Sequence, residues 1–351
     1  MKIIFRAFLT FLFVFTAIIP LLAQGSGNTE LTGSGATFPE PLYRKMLDEY
    51  HKKTGIKVNY QGIGSSGGIK QLTDRVTDFG GTDAFMTAEE MKIAGADIIH
   101  IPTSIGAVAV VYNLPGLKSG LHLTPEIISA IFLGKISKWN DPAMAAENKG
   151  IRLPDLNISV VHRSDGSGTT FVFTDYLSKA NREWKEKVGA NKSPNWPAGI
   201  GGKGNPGVAD LVSKIPGSIG YVELVYAVQN KMAYADIKNK SGNYITPSLK
   251  SASLAADIPI ADDTRVTITD TEAKEGYPIA SFTWIILYKE QNYNKRSAAA
   301  ASSLVNMLWW LVHEGQQYNE QLQYARLKQS VIDKCEKLLK SVTYDGRKIL
   351  K

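Results

Sequence analysis

His162-Arg163-Ser164-Asp165-Gly166-Ser167-Gly168-Thr169-Thr170 is the stretch on which the reading of this chain turns. The apolar run Ile158 to Val161 predicts a strand that enters it. Phe173, Tyr176, Leu177, Ala180 and Trp184, at helical spacing, predict an amphipathic helix that leaves it. A strand, a turn of glycines and hydroxyls, and a helix start together make an anion socket. The first helical amides lack intrahelical partners, glycine admits close approach, and the aligned peptides place roughly half a positive charge at that end. Arg163 adds a planar fork of donors suited to oxyanions. An ordinary capped helix with a surface salt bridge would use the same residues, so the rest of the chain has to decide between the two.

Residues 1 to 23 read as a secretory signal. Lys2 and Arg6 lead into the apolar run Phe8 to Leu22, which is short for a spanning helix and gives way to Gln24-Gly25-Ser26-Gly27-Asn28, with Ala23 or Gly25 before the cut. No cysteine lies near that cut, so an exported, soluble protein without a lipid anchor is expected. Removing the signal's two basic residues lowers the formal net charge from +7 to +5. Lysines and acids are interspersed, which is not the stripe of a nucleic-acid binder. The single cysteine, Cys335, falls in an amphipathic pattern as a buried thiol, and no disulfide can form within the chain. Stability must come from packing, and the length suffices for two domains with their own cores.

The pattern of strand, small-residue turn and helix recurs twice before the opening stretch. Gly35-Ala36-Thr37-Phe38-Pro39 opens a helix with Leu42, Tyr43, Met46, Leu47 and Tyr50 on one face, ending near Gly55, and Pro39 fits an early helical position. The alternating Lys57 to Gln61 runs into Gly62-Ile63-Gly64-Ser65-Ser66-Gly67-Gly68 and a helix marked by Ile69, Leu72 and Val76. Asp78-Phe79-Gly80-Gly81-Thr82-Asp83 then sets a carboxylate beside glycines. This alternation predicts an α/β layering with ligand sites at the carboxyl ends of strands. Ile105 to Tyr112 and Phe282 to Tyr288 read as buried strands, and we expect them to be two crossings between lobes. On that division, 24 to 104 with 283 to 351 form one lobe and 105 to 282 the other. Two unremarkable core strands of one sheet would give the same pattern. Further helices are expected at Pro125 to Leu133, Val208 to Ile215, Ser297 to His313 and Lys328 to Val342, with 239 to 262 polar and irregular. Trp309-Trp310 is assigned to the core or to a partner face.

Several short motifs are weaker than they look. Gly62-x-Gly64-x-x-Gly67 and Gly199-x-Gly201-x-x-Gly204 both match a dinucleotide fingerprint. An exported protein is not expected to use that cofactor, and the second match has no strand before it. Lys203 precedes Gly204 rather than Ser or Thr, so there is no P-loop. Gly64-Ser65-Ser66-Gly67-Gly68 matches the serine-hydrolase elbow, which gives the enzyme alternative: a secreted hydrolase or phosphatase with Ser66 as nucleophile and His162 or His313 as base. The five histidines, His51, His100, His122, His162 and His313, have no ligand spacing, so neither a metal nor another cofactor is expected.

Four stretches together carry a resemblance: Thr32 to Pro39, Val58 to Gly68, Asp78 to Asp83 and Arg163 to Thr170. With 133 to 140, 201 to 205 and 217 to 223 in support, in order over nearly the whole mature chain, the sequence resembles the PstS family. These are periplasmic phosphate-binding proteins that deliver inorganic phosphate to the permease subunits of the Pst ABC transporter. The resemblance implies a two-lobe periplasmic-binding-protein fold, a hinged trap with two crossing strands, acting as a monomer and not as an enzyme. It implies that one lobe supplies Thr37, the Phe38 amide, Ser65 and Asp83. The other supplies Arg163, Ser167, Gly168 and Thr169, with Asp165 holding the arginine. Nothing is carried over for 239 to 276. A carboxylate among donors makes chemical sense if the ligand keeps a proton. Phosphate can donate to Asp83, whereas sulfate at neutral pH would meet an unpaired repulsion.

Overall fold

The computed structural model describes residues 30 to 350. The expected signal at 1 to 23 and the polar leader after it lie outside the described residues. Within them no helix is long and apolar enough to cross a membrane.

A nine-stranded sheet runs through both halves of the molecule. At one end Glu30–Gly35 lies between Lys57–Gly62 and Phe79–Thr82, parallel to both. At the other end Ser159–Arg163 lies parallel to Ser218–Glu223 and to Ile200–Gly202. Each half is thus a parallel α/β unit. Ile98–Tyr112 and Ala280–Tyr288 run antiparallel to each other between them, every residue of both buried. The first part of Ile98–Tyr112 pairs with Ala280–Tyr288, and Val108 to Tyr112 pairs with Ser218–Glu223. One continuous strand therefore belongs to both ends of the sheet, which is the two-domain arrangement with crossing strands.

The strand begins at Ile98, earlier than its apolar run suggests. Pro102 masks the start, because proline lacks the N–H that a ladder needs. The structure accommodates it at a bulge: Trp284 pairs with Pro102 and Thr283 with Ser104, so Thr103 is the extra residue. Thr103 is bonded elsewhere, to the Tyr43 hydroxyl at 2.8 Å.

Helices follow the apolar spacing closely, with informative departures. Glu40–Thr54 buries Leu42, Tyr43, Met46, Leu47 and Tyr50, and stops at Gly55 with φ 75°. Full burial of each such side chain is worth roughly 1.5–3 kcal/mol. Pro39 is the N-cap rather than an early helical residue, and Pro41 takes that place. Ser65–Thr73 buries Ile69 and Leu72 but ends before Val76, which is two-thirds exposed. The helix after the opening stretch is Gly168–Ala180, and Trp184 sits on a second one, Arg182–Lys187, because the Asn181 side chain caps a new start. In the region read as irregular, Leu249–Ala255 is helical, closed by a Ser248/Ser251 capping box. Cys335 and Trp310 are in the core. Trp309 is partly buried and stacks on His313.

Candidate functional site

The three strand-to-helix turns and the end of Phe79–Thr82 converge where the two halves face each other. Thr37, Phe38, Ser65, Asp83, Arg163, Ser167 and Thr169 are all buried there. Contact across the seam is direct. The Gly168 amide donates to Ser65 Oγ at 3.0 Å, and the Ser66 amide to the Gly166 carbonyl at 3.0 Å. At the rim, Lys192 Nζ lies 2.5 Å from Glu90 Oε1. The lobes are closed on each other.

Glycine is required where the two halves approach most closely. A Cβ on Gly168 would stand 2.5 Å from Ser65 Oγ and 2.7 Å from Asp83 Oδ2. Gly64, with φ 89°, would bring one within 2.3 Å of Asp165 Oδ2. Any side chain at these two positions holds the halves apart.

The hydroxyls are arranged so that their own protons are free. Ser65 Oγ accepts from the amides of Gly168 and Asp83. Thr37 Oγ1 accepts from both the backbone and the side-chain amide of Asn205, each at 3.0 Å. Thr169 Oγ1 accepts from Arg163 Nη1 at 3.3 Å and from Asn205 Nδ2 at 3.1 Å. A hydroxyl has one proton and two lone pairs. With both lone pairs engaged, each of these three can only donate to whatever lies between the lobes. Ser167 Oγ caps the Gly168–Ala180 helix by accepting from Thr170 N. Among the described residues, the amides of Phe38 and Thr169 have no protein acceptor.

Arg163 is held rather than free. Its Nε and Nη2 bond the two oxygens of Asp165 at 2.8 and 2.5 Å, a bidentate pair that fixes the plane of the fork. Burial alone would raise the Asp165 pKa, but the arginine and the Gly204 amide outweigh it and bring it below the usual carboxylate range. The pair is therefore charged on both sides, and Nη1 remains directed at Thr169 and the seam.

Asp83 is the acceptor in this shell of donors. Burial pushes its pKa up to about 7, opposed by a 2.8 Å bond from Thr283 Oγ1 and by the charge of Arg163. Its other oxygen faces Gly168. The set can clasp a small oxyanion with many N–H and O–H donors and probe it for a proton at one point.

The sequence did not single out Asn205, although it closes the stretch 201 to 205. It is fully buried and ties Thr37, Thr169 and, through Oδ1, the Glu223 amide. Tyr226, whose hydroxyl donates to Thr37 O at 2.6 Å, and Tyr324, which donates to Phe38 O at 2.5 Å, were also missed. All three lie far along the chain from the turns they support. The hydrolase reading of Ser66 finds no support. His162 bonds Arg163 O and stacks on Trp196, while His313 bonds Trp309 O and Glu336. Among the described residues neither histidine bonds Ser66, and no cluster of His, Cys, Asp and Glu could hold a metal ion. A surface groove of 1610 Å³ along Lys179, Arg182, Lys185 and residues 269 to 275 contains none of the site residues.

Residues 22 to 305 match the profile of the PBP superfamily domain. The chain is 44% identical over 310 residues to the phosphate-binding protein PstS of Pasteurella multocida, covering 87% of this chain and 88% of that one. It is 42% identical over 321 residues to PstS of Xylella fastidiosa, covering 90% and 86%. Among solved structures, it is similar to a high-affinity periplasmic phosphate-binding protein bound with phosphate, with a TM-score of 0.69, 21% identity, and coverage of 87% and 92%. The phosphate-binding protein of Stenotrophomonas maltophilia gives a TM-score of 0.68 at 18% identity, with coverage of 87% and 92%. The Ser66 hydrolase alternative finds no counterpart in these relatives, and the chain belongs to the PBP superfamily and, within it, to the PstS family.

Proposed function

We propose that this chain captures inorganic phosphate between its lobes and hands it to the permease subunits of a phosphate ABC importer. The observation that carries the reading is the shell itself. Thr37, Ser65 and Thr169 are left able only to donate, Arg163 is clamped in one plane by Asp165, and Asp83 stands among them as an acceptor. A buried anion needs donors to replace its water, and fixed amides and hydroxyls provide them. The proposed contacts are Thr37 and the Phe38 amide, Ser65 and Asp83 from one lobe, with Arg163, Ser167, Gly168 and Thr169 from the other.

Asp83 is the selective element in this reading. Phosphate at neutral pH carries a proton to give it, and sulfate does not. The named function of relatives more than 40% identical over most of the chain supports the same ligand. The working molecule is a monomer in the periplasm after loss of residues 1 to 23, its lobes formed by 24 to 104 with 283 to 351 and by 105 to 282. Calorimetry against phosphate and sulfate tests this: tight phosphate binding and no measurable sulfate binding are expected. Equal affinity for both would overturn the selective role of Asp83, and no phosphate binding would overturn the function.

A further inference from the structure

The turn before the Glu40–Thr54 helix presents three successive carbonyls, and each accepts from a tyrosine hydroxyl. Tyr60 on Lys57–Gly62 donates to Ala36 O at 2.9 Å, Tyr226 to Thr37 O at 2.6 Å, and Tyr324 to Phe38 O at 2.5 Å. Tyr60 and Tyr324 belong to the same lobe as the turn. Tyr226 does not: it is buried on Leu224–Gln229, the helix that follows Ser218–Glu223 on the second lobe. Its bond to Thr37 O therefore crosses the seam and exists only when the lobes are together.

The middle carbonyl is the one that matters for the site. Thr37 O and the Phe38 N–H are opposite ends of one planar trans peptide, so a donor that fixes the first aims the second the other way. The Phe38 amide has no protein acceptor among the described residues. Apart from Tyr226, Thr37 O receives only the Glu40 amide at 3.4 Å, a long contact that holds the plane weakly. The peptide fixed through Phe38 O ends on the nitrogen of Pro39, which has no proton to give. We propose that Tyr226 is a positioning residue for phosphate binding: by donating across the seam to Thr37 O it aims the Phe38 amide at the anion, so that this donor is set only as the lobes close. Burial raises the pKa of the Tyr226 hydroxyl above the ordinary 10, so the group keeps the proton it gives. The inference rests on the phosphate reading.

Tyr226→Phe keeps the ring and removes the donor. Phosphate affinity should fall roughly fivefold to 100-fold. Affinity alone does not separate positioning from packing, so the deciding readout is nuclear magnetic resonance of protein labelled with 15N at phenylalanine and threonine. In the natural protein, saturating phosphate should move the Phe38 and Thr169 amide protons downfield as each bonds the anion. In saturated Y226F, the Phe38 shift should shrink while the Thr169 shift, from the other lobe, is kept. A Phe38 shift equal to that of the natural protein would overturn the inference whatever the affinity. Equal shrinkage at both amides would also overturn it, because that is the mark of general loosening. If neither amide moves in the natural protein, the phosphate reading falls as well. If Y226F does not fold, the natural protein labelled with 13C at tyrosine Cζ decides the point. The Tyr226 signal should move on addition of phosphate, as its hydroxyl gains an acceptor, while those of Tyr60 and Tyr324 stay. A stationary Tyr226 signal overturns the inference.

Discussion

Asn205 gives both its backbone amide and its side-chain amide to one oxygen, Thr37 Oγ1, each at 3.0 Å. The two residues come from opposite lobes, so the pair exists only when the lobes are together. It also decides what Thr37 can do, because a hydroxyl with both lone pairs filled must donate. Asn205→Ala removes one of these donors together with the bond to Thr169. Leaving buried partners unsatisfied costs about 1–3 kcal/mol, so phosphate affinity should fall roughly tenfold to 100-fold, and the ligand-free melting temperature should fall as well because Thr169 and the Glu223 amide lose their Asn205 partner within the same lobe. Titration calorimetry paired with thermal melts checks both halves of that expectation.

Asp83→Asn is expected to weaken phosphate binding and to admit sulfate, since the amide offers N–H groups in place of a repelling charge. Competition of sulfate against labelled phosphate reads this directly, and a variant that still rejects sulfate would contradict it.

The same substitution has a stability consequence of definite sign. The folded-state pKa of Asp83 is pushed up to about 7 from the ordinary 3.8, mainly by burial. Such a group contributes its stability fully below the unfolded pKa and loses it as pH rises through the folded one. Between about pH 4 and pH 7 the natural protein in its closed form should therefore lose stability relative to D83N, by at most about 4 kcal/mol at 1.36 kcal/mol per pH unit. Denaturant melts across that window should show the two curves separating as pH rises.

Lys192 and Glu90 form a half-buried ion pair across the rim, with side-chain exposures of 14% and 25%. Ion pairs of this kind are worth about 0.2–1 kcal/mol. Lys192→Ala should therefore speed phosphate release up to about fivefold at low salt, and the difference should shrink at high salt. Stopped-flow release measured at two ionic strengths provides the check.

Gly168→Ala should leave each lobe folded and block their approach, because the new methyl would lie 2.5 Å from Ser65 Oγ and 2.7 Å from Asp83 Oδ2. Small-angle scattering should show the same open particle with and without phosphate, where the natural protein contracts.

The local parts of the site were legible in the sequence. Strand, turn and helix are short-range patterns, and the turns at Thr37, Ser65 and Arg163 announce themselves by glycines and hydroxyls. Asn205 is different: it meets Thr37 across 168 residues, and Tyr324 meets Phe38 across 286. Nothing in the composition around either residue marks that meeting. Two elements were hidden for local reasons. Pro102 disguised the start of the long strand until the bulge at Thr103 absorbed it. The serines that cap Leu249–Ala255 read as loop because the same residue types favour turns. Val76 shows the reverse error, an apolar residue at helical spacing that the helix never reaches.

The strand Ile98–Tyr112 has one consequence for how the protein could be divided. It threads both ends of the sheet, and its partner Ala280–Tyr288 returns along it from the far side of the sequence. The N-terminal part of the chain cannot complete its sheet until Ala280–Tyr288, about 170 residues further along the chain than Tyr112, has joined it. Neither half can be released by a single cut, and a fragment ending near residue 112 would expose a bare sheet edge to the first strand that offered itself.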